Sequence, residues 1–570
     1  MDDRDFLCLE TGNINEVTEV LKRFIDKHNQ TFTFTELNDD GKRRRLWTLL
    51  IKHLENSDDA PCHKYCLACI RILSRDKTDL NELVCENWLG TLLRLAGLVS
   101  QEEALTRINQ LNPDYEVILE ALKCLCNIIF NSTTAQVLSS VNHSVEGIVM
   151  RLRTYRDPDL PADIKFFDMK MLFLITALCA EVRPRLKEEL HGLTYLIETL
   201  DLILKEASGE DHEERGATCG DMPILLSDEL VGLACEVLKV LFNLTVKSGD
   251  RSLVDEEEEA HFLRLVSILH DLLLCETYSK EKQYELQNHT VNLLMSIPSN
   301  CYEELMTPVQ KDARELPKGL EMEGRSMEAI AVLLQFLEQR LDNMSQGVRS
   351  QSEVLSPVLT VLVEGSRSHR AMRKFLRAHV LPPLTEVMTR PEEGNTIRNK
   401  LCRLLTTPNT QVRDLVADFL FVLCKENVMR MIKYTGYGNA AGLFANRGLL
   451  LGGSSSGSRS GSGSGTAHYS SDSEDSDTEE YREYRDKINP VTGCYEPPKP
   501  NPTAGMTEEQ KEYEAMQLVS MMDKLSRDGI VHPCRVGEDG RPEPVEHVLQ
   551  LIEDLPHQQI KPNLDDTDSN

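Results

Sequence analysis

The feature that most constrains this chain is a long succession of apolar-periodic segments, each of helical length, running from about residue 10 to 430. Short polar turns separate the segments, and the apolar residues recur at helical spacing. At 570 residues the chain is too long for one compact core. Because each segment can bury its apolar face only against its neighbours, we predict an all-α solenoid.

A recurring phrase supports internal repetition. Leu-Lys-x-Leu-x-Asn occurs at Leu122 to Asn127 and again at Leu238 to Asn243, and a looser copy carries Asn292. The last two asparagines lie 49 residues apart, close to the armadillo and HEAT period of roughly 40–47 residues. In such repeats an asparagine can hydrogen-bond the backbone of a peptide laid along the groove. The alternative, an asparagine that caps its own helix, stays open.

Composition narrows the class of protein and of partner. Only 5% of residues are aromatic, which favours stacked helices over sandwiches or barrels. A formal charge of −29 argues against a nucleic-acid partner, because phosphate backbones require a concentrated basic face. The N-terminal sequence has no secretory pattern, and the most apolar run, Met171 to Ala180, is too short to span a bilayer. Sixteen cysteines within helical runs indicate a reducing compartment, so we expect a cytosolic protein.

The boundaries of five regions follow from changes in composition. We predict a solenoid over residues 1–435, a Gly/Ser-rich linker over 436–470, an acidic and Pro-rich segment over 471–505, an amphipathic helix over 506–529 and a mostly disordered tail over 530–570. The tail helix begins with a Thr507 to Gln510 capping box. Its apolar side includes Leu518, Val519, Met522 and Leu525. It is either docked on the solenoid or a mobile partner-binding helix, and its long tether favours the second.

Several motifs match catalytic or cofactor-binding patterns, but the sequence around each one lacks the secondary structure that the motif requires. Gly453 to Gly457 fits a nucleophile elbow but lies in low-complexity sequence, and Gly436-Tyr437-Gly438 follows no strand. Cys62, Cys66 and Cys69 have zinc-like spacing with His63, yet they fall on one helical face, which favours buried cysteines. We therefore expect neither catalysis nor a metal or cofactor.

Two basic groups are candidates for partner recognition. Arg71 and Arg75 are four residues apart, so they share a helical face and could clamp a carboxylate. The alternative is an Arg75–Asp76 pair or a solvated one.

A denser basic cluster follows on a later helix. It consists of Arg367, Arg370, Arg373, Lys374 and Arg377. Ser471 and Ser476 each have a glutamate at +3, the spacing that acidophilic kinases read. We predict that these serines, once phosphorylated, dock on the basic cluster and stiffen the solenoid. A solvated acidic tail is the alternative.

Several phrases together resemble the synembryn family, cytosolic chaperones and guanine nucleotide exchange factors for G-protein α subunits. They are Arg71-Ile72-Leu73-Ser74-Arg75-Asp76, Leu122 to Asn127, Phe166-Phe167-Asp168, Phe375-Leu376 with Val380-Leu381-Pro382-Pro383-Leu384, Phe419 to Cys424, Lys433-Tyr434-Thr435-Gly436-Tyr437-Gly438-Asn439-Ala440-Ala441-Gly442, and Met506 to Lys511. The match runs nearly end to end. The string from Lys433 to Gly442 is the most specific. The A-type and B-type paralogues share every one of these phrases.

The resemblance implies a right-handed armadillo/HEAT superhelix whose concave face receives the C-terminal helix of the α subunit, which releases GDP without covalent chemistry. By position, Arg71, Arg75 and Asn127 would meet the end of that helix, with Phe242, Asn243 and Asn292 further along the groove. The tail helix would hold the switch region, and Ser471 and Ser476 sit where the family is phosphorylated. A monomer is implied, in the cytoplasm and, through the α subunit, at the cell cortex or plasma membrane.

A nuclear-transport-type armadillo adaptor without exchange activity is the main rival. Such adaptors pair each groove asparagine with a tryptophan. The two tryptophans of this chain, Trp47 and Trp88, are far in sequence from the asparagine copies, so the rival lacks its main feature.

Overall fold

The computed structural model describes residues 1–38, 41–98, 114–209, 223–246, 256–309, 317, 319–343, 348–447, 477–497, 503, 505–528, 534–536 and 542–544. The chain divides into two compact units, Met1–Tyr495 and Glu496–Asn570. Helices dominate the first unit. In chain order its α-helices are α1 (Asp3–Thr11), α2 (Ile14–His28), α3 (Thr35–Asn38), α4 (Lys42–Glu55), α5 (His63–Leu73), α6 (Leu80–Leu83), α7 (Glu86–Leu95), α8 (Tyr115–Asn131), α9 (Thr133–Val141), α10 (Ser144–Leu152), α11 (Ala162–Leu178), α12 (Val182–Pro184), α13 (Gly192–Ser208), α14 (Asp228–Thr245), α15 (Glu256–Leu274), α16 (Lys280–Ser296), α17 (Glu328–Asp342), α18 (Val348–Ser368), α19 (Arg370–Val380), α20 (Ile397–Leu404), α21 (Thr410–Leu423), α22 (Val428–Thr435), α23 (Tyr437–Asn446) and α24 (Glu479–Tyr484).

Short irregular helices and two-residue strands connect them. The 3₁₀ helices are Ser57–Cys62, Ser299–Leu305 and Arg485–Lys487, and Arg185–Glu189 is a π-helix. The strand pairs are parallel β1 (Leu225–Leu226) with β2 (Glu276–Thr277), antiparallel β3 (Glu321–Met322) with β4 (Arg325–Ser326), and antiparallel β5 (Ile488–Asn489) with β6 (Cys494–Tyr495). No strand is long enough to organise a sheet core among the described residues, so the first unit is all-α.

Local sequence explains where the helices begin. At α2 the Asn13 side chain accepts hydrogen bonds from the amides of Asn15 and Glu16, both at 3.1 Å, and the Glu16 carboxylate returns to the Asn13 amide at 3.1 Å. Ser227 caps α14 in the same way, accepting from the Leu230 amide at 3.3 Å. These caps satisfy amides that have no partner inside the helix.

Eight helices form one continuous layer, and we call them the stack helices. They are α2, α5, α8, α11, α14, α16, α18 and α21, and each packs against the next. A second row lies behind them: α4 packs on α5, α7 on α8, α10 on α11, α13 on α14, α15 on α16 and α17 on α18. Their buried apolar side chains form a single connected core. Contact restricted to neighbouring repeats is what defines a solenoid, so the predicted architecture is confirmed.

The first unit extends beyond residue 435, where the linker was predicted to begin. Helix α23 follows at once, and the β5–β6 hairpin packs on its start: the amides of Tyr437 and Gly438 donate to the carbonyls of Pro490 and Val491 at 2.8 and 2.9 Å. Gly436 has a φ of +74°, and a Cβ there would lie 3.1 Å from Val491 O. The glycines therefore allow the close approach of the hairpin backbone.

The second unit contains helix α25 (Glu508–Arg527) and antiparallel strands β7 (Cys534–Val536) and β8 (Pro542–Pro544). The predicted capping box is confirmed. The Thr507 amide donates to Gln510 Oε1 at 3.1 Å, and the Gln510 amide donates to Thr507 Oγ1 at 3.3 Å.

Across the described part of the chain, no single helix has the length and apolarity needed to cross a membrane. The pair α8 and α9 reaches that length together, but a bend of 116° separates the two helices.

Candidate functional site on the stack helices

Half-buried side chains from successive stack helices form one contiguous surface, which we call the stack face. Its members are Arg71, Arg75, Glu120, Lys123, Asn127, Phe166, Phe167, Lys170, Phe173, Lys239, Phe242, Asn243, Glu285, His289 and Asn292. Most of them recur three or four residues apart along a helix, which places them on one helical face, and Phe166–Phe167 and Phe242–Asn243 are adjacent pairs on that face. All six residues predicted to meet the partner helix lie on this surface.

Arg71 joins the first two helices of the stack face. Its Nε donates to Glu120 Oε2 on α8 at 3.0 Å, and Lys123 Nζ lies 3.4 Å from the other oxygen of that carboxylate. Glu120 therefore shares its charge between two cations. This arrangement leaves net positive charge at the α5 end of the face.

Arg75 lies just after α5, and its guanidinium anchors the loop after α2. Its Nη1 donates to the carbonyl of Asn29 at 2.6 Å, and the group lies 5.3 Å from the ring centroid of Phe32. Burial first, and then the charge of Arg71, lower the pKa of Arg75. The two guanidiniums are thus close enough to repel each other, and an anion placed between them would relieve that repulsion.

The alternative Arg75–Asp76 pair is wrong. The Asp76 carboxylate accepts hydrogen bonds from the backbone amides of Phe34 at 2.8 Å and Thr78 at 2.9 Å. Burial raises the pKa of Asp76, but these amide donors outweigh it and leave the pKa below its ordinary value. Asp76 is therefore a structural anchor.

Aromatic rings and lysines form the middle of the stack face. Lys123 on α8 lies 5.5 Å from the Phe167 ring centroid, and Lys239 on α14 lies 4.8 Å from that of Phe173. Lys170 lies 5.7 Å from the centroids of both Phe166 and Phe167. We did not assign these residues to the site from sequence, although the Phe166-Phe167 pair was visible as a motif. Such cation–aromatic surfaces suit an amphipathic partner.

The repeated asparagines connect neighbouring repeats. Asn127 Nδ2 donates to the carbonyl of Arg71 at 3.2 Å, and Asn131 Nδ2 donates to that of Ser74 at 3.0 Å. Asn243 on α14 makes a similar contact with α11: its Nδ2 donates to Thr176 Oγ1 at 3.0 Å and to the Phe173 carbonyl at 3.4 Å. They cap the end of the preceding stack helix, a role that neither sequence interpretation included.

Asn292 differs from the other two copies. It is half-buried, and within the described residues its side chain makes no hydrogen bond. Phe242 is half-buried and packs against the core. Asn292 therefore does not connect neighbouring repeats in the way that Asn127 and Asn243 do.

Exposed apolar side chains line the C-terminal edge of the stack helices. Phe130 is 59% exposed, Leu178 is 44% exposed and Val246 is 40% exposed. They occupy equivalent places at the ends of α8, α11 and α14. An apolar edge beside a charged face matches the two sides of an amphipathic helix.

The basic cluster is divided between structural and surface roles. Arg373 is 9% exposed and donates to the carbonyl of Ser366 at 2.7 Å, and Arg377 is 7% exposed and donates to the Tyr434 hydroxyl at 3.4 Å. Arg370 and Lys374 both pair with Glu323, at 3.2 and 2.9 Å. Arg367 pairs with Glu364 at 3.0 Å. The five residues therefore do not form one uniform docking surface.

Ser471 and Ser476 lie outside the described residues. The residue after Ser476, Asp477, is described and contacts α22: its carboxylate lies 2.6 Å from Lys433 Nζ. Lys433 also lies 4.5 Å from the ring centroid of Tyr481. The one sequence signal for these contacts of Lys433 was its place in the Lys433 to Gly442 string.

Helix α25 presents its apolar side to the surface. Leu518 is 60% exposed, and Met522 and Leu525 are each 37% exposed, while Val519 is half-buried. Four apolar residues on one side of a helix are typical of a partner surface.

The cysteine and tryptophan predictions can be checked directly. Cys62, Cys66 and Cys69 are fully buried, as the core interpretation predicts. Trp47 and Trp88 lie against each other with ring centroids 5.9 Å apart, so the asparagine–tryptophan pairs of a transport adaptor are not formed by the described residues.

Comparison with known proteins identifies the family. The family model described as guanine nucleotide exchange factor synembryn matches residues 66–541. Chaperone Ric-8A of Gallus gallus is 44% identical over 546 residues, covering 96% of each chain. Chaperone Ric-8A of Danio rerio is 44% identical over 94% of this chain and 93% of its own, and chaperone Ric-8 of Drosophila pseudoobscura pseudoobscura is 40% identical over 98% and 99%.

Two solved structures are similar over 79% of this chain. One is an engineered protein with 14% identity and a TM-score of 0.43, covering 95% of that chain. The other comes from work on cadherin and beta-catenin, with 12% identity and a TM-score of 0.46, covering 74% of that chain. The family model instead matches residues 66–541, and the named relatives are 40–44% identical over nearly the whole sequence, so the chain belongs to the synembryn, or Ric-8, family.

Proposed function

We propose that this protein is a chaperone for nascent G-protein α subunits and a guanine nucleotide exchange factor for their GDP-bound form. The observation that carries the proposal is the family match over residues 66–541, together with relatives named as Ric-8 chaperones that align along almost their full length. A match of that extent leaves no large region of the relatives without a counterpart here.

The stack face is the proposed receptor for the C-terminal helix of the α subunit. Arg71 and Arg75 bind the terminal carboxylate, whose negative charge would offset the positive charges of the two guanidiniums. The aromatic rings from Phe166 to Phe173 and the exposed edge at Phe130 take the apolar side of the helix. Asn292, whose side chain is free among the described residues, hydrogen-bonds a polar group further along.

Exchange then requires no covalent chemistry. Binding energy from the stack face holds the helix away from the nucleotide site, and the guanine pocket that the helix supports opens and releases GDP. The nucleotide-free partner stays bound until GTP restores its fold. This scheme needs no catalytic side chain, so the activity is that of a non-catalytic exchange factor.

A second contact and its regulation complete the proposal. Helix α25, with Leu518, Val519, Met522 and Leu525, holds the switch region of the α subunit. An acidophilic kinase phosphorylates Ser471 and Ser476, and the phosphates dock on the exposed members of the basic cluster near α22. Two contacts support this placement: Asp477, next to Ser476 in the chain, contacts Lys433 on α22, and the cluster member Arg367 lies 3.9 Å from Glu426, two residues before α22. The protein acts as a cytoplasmic monomer that reaches the cell cortex through its partner.

Release of bound nucleotide tests the proposal. The full chain is mixed with each class of GDP-loaded α subunit, and both GDP release and complex formation are measured. Accelerated release with at least one class is expected. Binding of a peptide that reproduces the C-terminal helix of an α subunit, without any release, would favour a peptide-binding adaptor. Neither binding nor release with any class would disprove the proposal.

A matched pair of variants ties the result to the stack face. Arg75→Ala should slow release, whereas Arg44→Ala should not. Arg44 lies on α4 in the second row and makes an exposed ion pair with Glu82 at 2.7 Å. Equal effects of the two substitutions would place the binding surface elsewhere.

A further inference from the structure

Three metal-ligating side chains meet where stack helices α14 and α16 pack together. Cys235 comes from α14, and Glu285 and His289 come from α16, one helical turn apart. The candidate donor atoms of the three residues all lie within 4.8 Å of one another. Among the described residues, this is the one group of three His, Cys, Asp or Glu side chains with that geometry.

The three donors match one metal best. Thiolate, imidazole and carboxylate together are typical zinc ligands, whereas calcium and magnesium favour oxygen donors alone. Tetrahedral zinc would require donor separations of about 3.3–3.6 Å, given Zn–S near 2.3 Å and Zn–N or Zn–O near 2.0–2.1 Å. The donor atoms would therefore have to approach one another by up to about one ångström, and Glu285 and His289, the two ligands that would rotate, are only half-buried.

We propose that Cys235, Glu285 and His289 bind a zinc ion, with the fourth coordination position open to water. Two ligands on one helix turn and a third on the neighbouring helix would cross-link adjacent repeats of the solenoid. The open position faces the stack face, of which Glu285 and His289 are members.

The surrounding charges are compatible with this site. Burial, followed by the charge of Lys239, lowers the pKa of His289, which favours the neutral ring whose nitrogen lone pair binds metal. Lys282 Nζ contacts Glu285 Oε2 at 2.8 Å and leaves Oε1 available. Lys282 would then orient the carboxylate from outside the coordination shell.

The thiol is the costly ligand. Burial raises the pKa of Cys235 to about 12, so zinc must displace its proton to solvent, and a Zn–S bond forms as the S–H bond breaks. One proton is therefore released for each zinc bound. This release gives a signal that distinguishes thiolate ligation from binding of a metal at surface carboxylates.

The cysteine cluster at the start of α5 is the competing metal site. Cys62 Sγ lies 3.8 Å from Cys66 Sγ, but Cys62, Cys66 and Cys69 are fully buried and give an entering ion no exposed ligand. The Cys235 group differs because two of its three ligands reach the surface.

Cobalt substitution in the full chain tests the assignment. Chelator-treated protein is titrated with Co²⁺ and then Zn²⁺, following thiolate-to-cobalt charge-transfer absorbance and proton release. We expect one thiolate-bound cobalt per chain, displaced by zinc. Loss of a ligand should weaken zinc binding by more than the roughly 10–100-fold that loss of an outer-shell partner costs. Cys235→Ala should abolish the charge-transfer band, and His289→Gln should weaken zinc binding.

Controls keep the assignment falsifiable. Cys402 is equally buried, and burial likewise raises its pKa to about 12, so Cys402→Ala should leave the titration unchanged. If Cys235→Ala fails to fold by circular dichroism, Glu285→Gln and His289→Gln carry the test. A band that survives Cys235→Ala, disappears in Cys62→Ala with Cys66→Ala, or never forms would overturn the proposal.

Discussion

The two arginine groups that stand out in the sequence have different roles in the folded protein. Arg71 and Arg75 remain partly exposed at the end of α5, and burial first, then the charge of Arg71, lower the pKa of Arg75. Arg373 and Arg377 of α19 are 9% and 7% exposed and are directed at a backbone carbonyl and a tyrosine hydroxyl. Both groups have helical spacing, yet Arg373 and Arg377 are buried whereas Arg71 and Arg75 remain partly exposed.

The difference arises from what lies next to each helix. The last carbonyls of α18 have no amide of a following helical turn to accept from. The guanidinium of Arg373, on the adjacent helix α19, is long enough to reach them. At α5 the equivalent task is done by Arg43, which is 2% exposed and donates to the carbonyls of Leu73 and Asp76 at 2.8 and 2.6 Å. Arg71 and Arg75 are therefore left for the surface.

The largest expected effect is on stability at the buried arginine. Arg373→Ala removes the donor to Ser366 O and leaves buried carbonyls unpaired, which should lower the free energy of unfolding by about 3 kcal/mol. Urea denaturation followed by circular dichroism measures the change. Glu353→Ala, an exposed substitution on α18, is the control and should be nearly neutral. An Arg373→Ala protein as stable as this control would mean that the guanidinium is not needed as a cap.

The next effect is on binding at the surface arginine. Arg75→Ala should weaken the complex with a G-protein α subunit by about 2 kcal/mol, or about 30-fold, because a carboxylate would lose a charged, forked donor. The affinity of Arg75→Lys should lie between those of the wild type and Arg75→Ala, since lysine keeps the charge but lacks the forked pair of donors. Titration calorimetry with the α subunit gives the affinities. Wild-type affinity for Arg75→Ala would reduce Arg75 to an anchor for the loop at Asn29.

The asparagine copies give a smaller and more discriminating effect. Asn243→Ala should cost about 1 kcal/mol of stability, because Thr176 and the Phe173 carbonyl lose a donor, while Asn292→Ala should cost almost none. Urea denaturation of the two variants side by side measures this contrast. For α-subunit affinity we expect the reverse order, and equal stability losses would contradict the proposed separation of roles.

These contrasts show how far the sequence could predict the molecule. Helical periodicity predicts the solenoid because burial on neighbouring repeats is the dominant stabilising term, and the Leu-Lys-x-Leu-x-Asn copies mark equivalent places on α8 and α14. Periodicity could not show that Asn127 and Asn243 cap the preceding helix. That contact spans 56 residues in one case and 67 in the other, and depends on how the ends of two helices align.

Long-range packing also explains what was missed around residues 436–495. Glycines at 436 and 438 read as the start of a linker, but they admit the β5–β6 hairpin, which arrives from about fifty residues later in the chain. Long-range packing also explains why some members of the basic cluster are buried and others exposed. Whether a cation is buried depends on Tyr434 and Glu323, which lie outside its own helix.

The smallest expected effect on stability is at the exposed cations of the basic cluster. The double substitution Arg370→Ala with Lys374→Ala removes two ion pairs to Glu323. All three side chains are partly solvated, so the free energy of unfolding should change by less than about 1 kcal/mol. The same double variant should nevertheless abolish any gain in protease resistance that kinase treatment gives the wild type, because phosphorylated Ser471 and Ser476 would lose their cations. Limited proteolysis before and after kinase treatment measures this, with Ser471→Ala and Ser476→Ala as the matched control. If the double arginine–lysine variant still gained resistance while the serine variant did not, the phosphates would be held by Lys433 and its neighbours on α22, and the basic cluster would have a purely structural role.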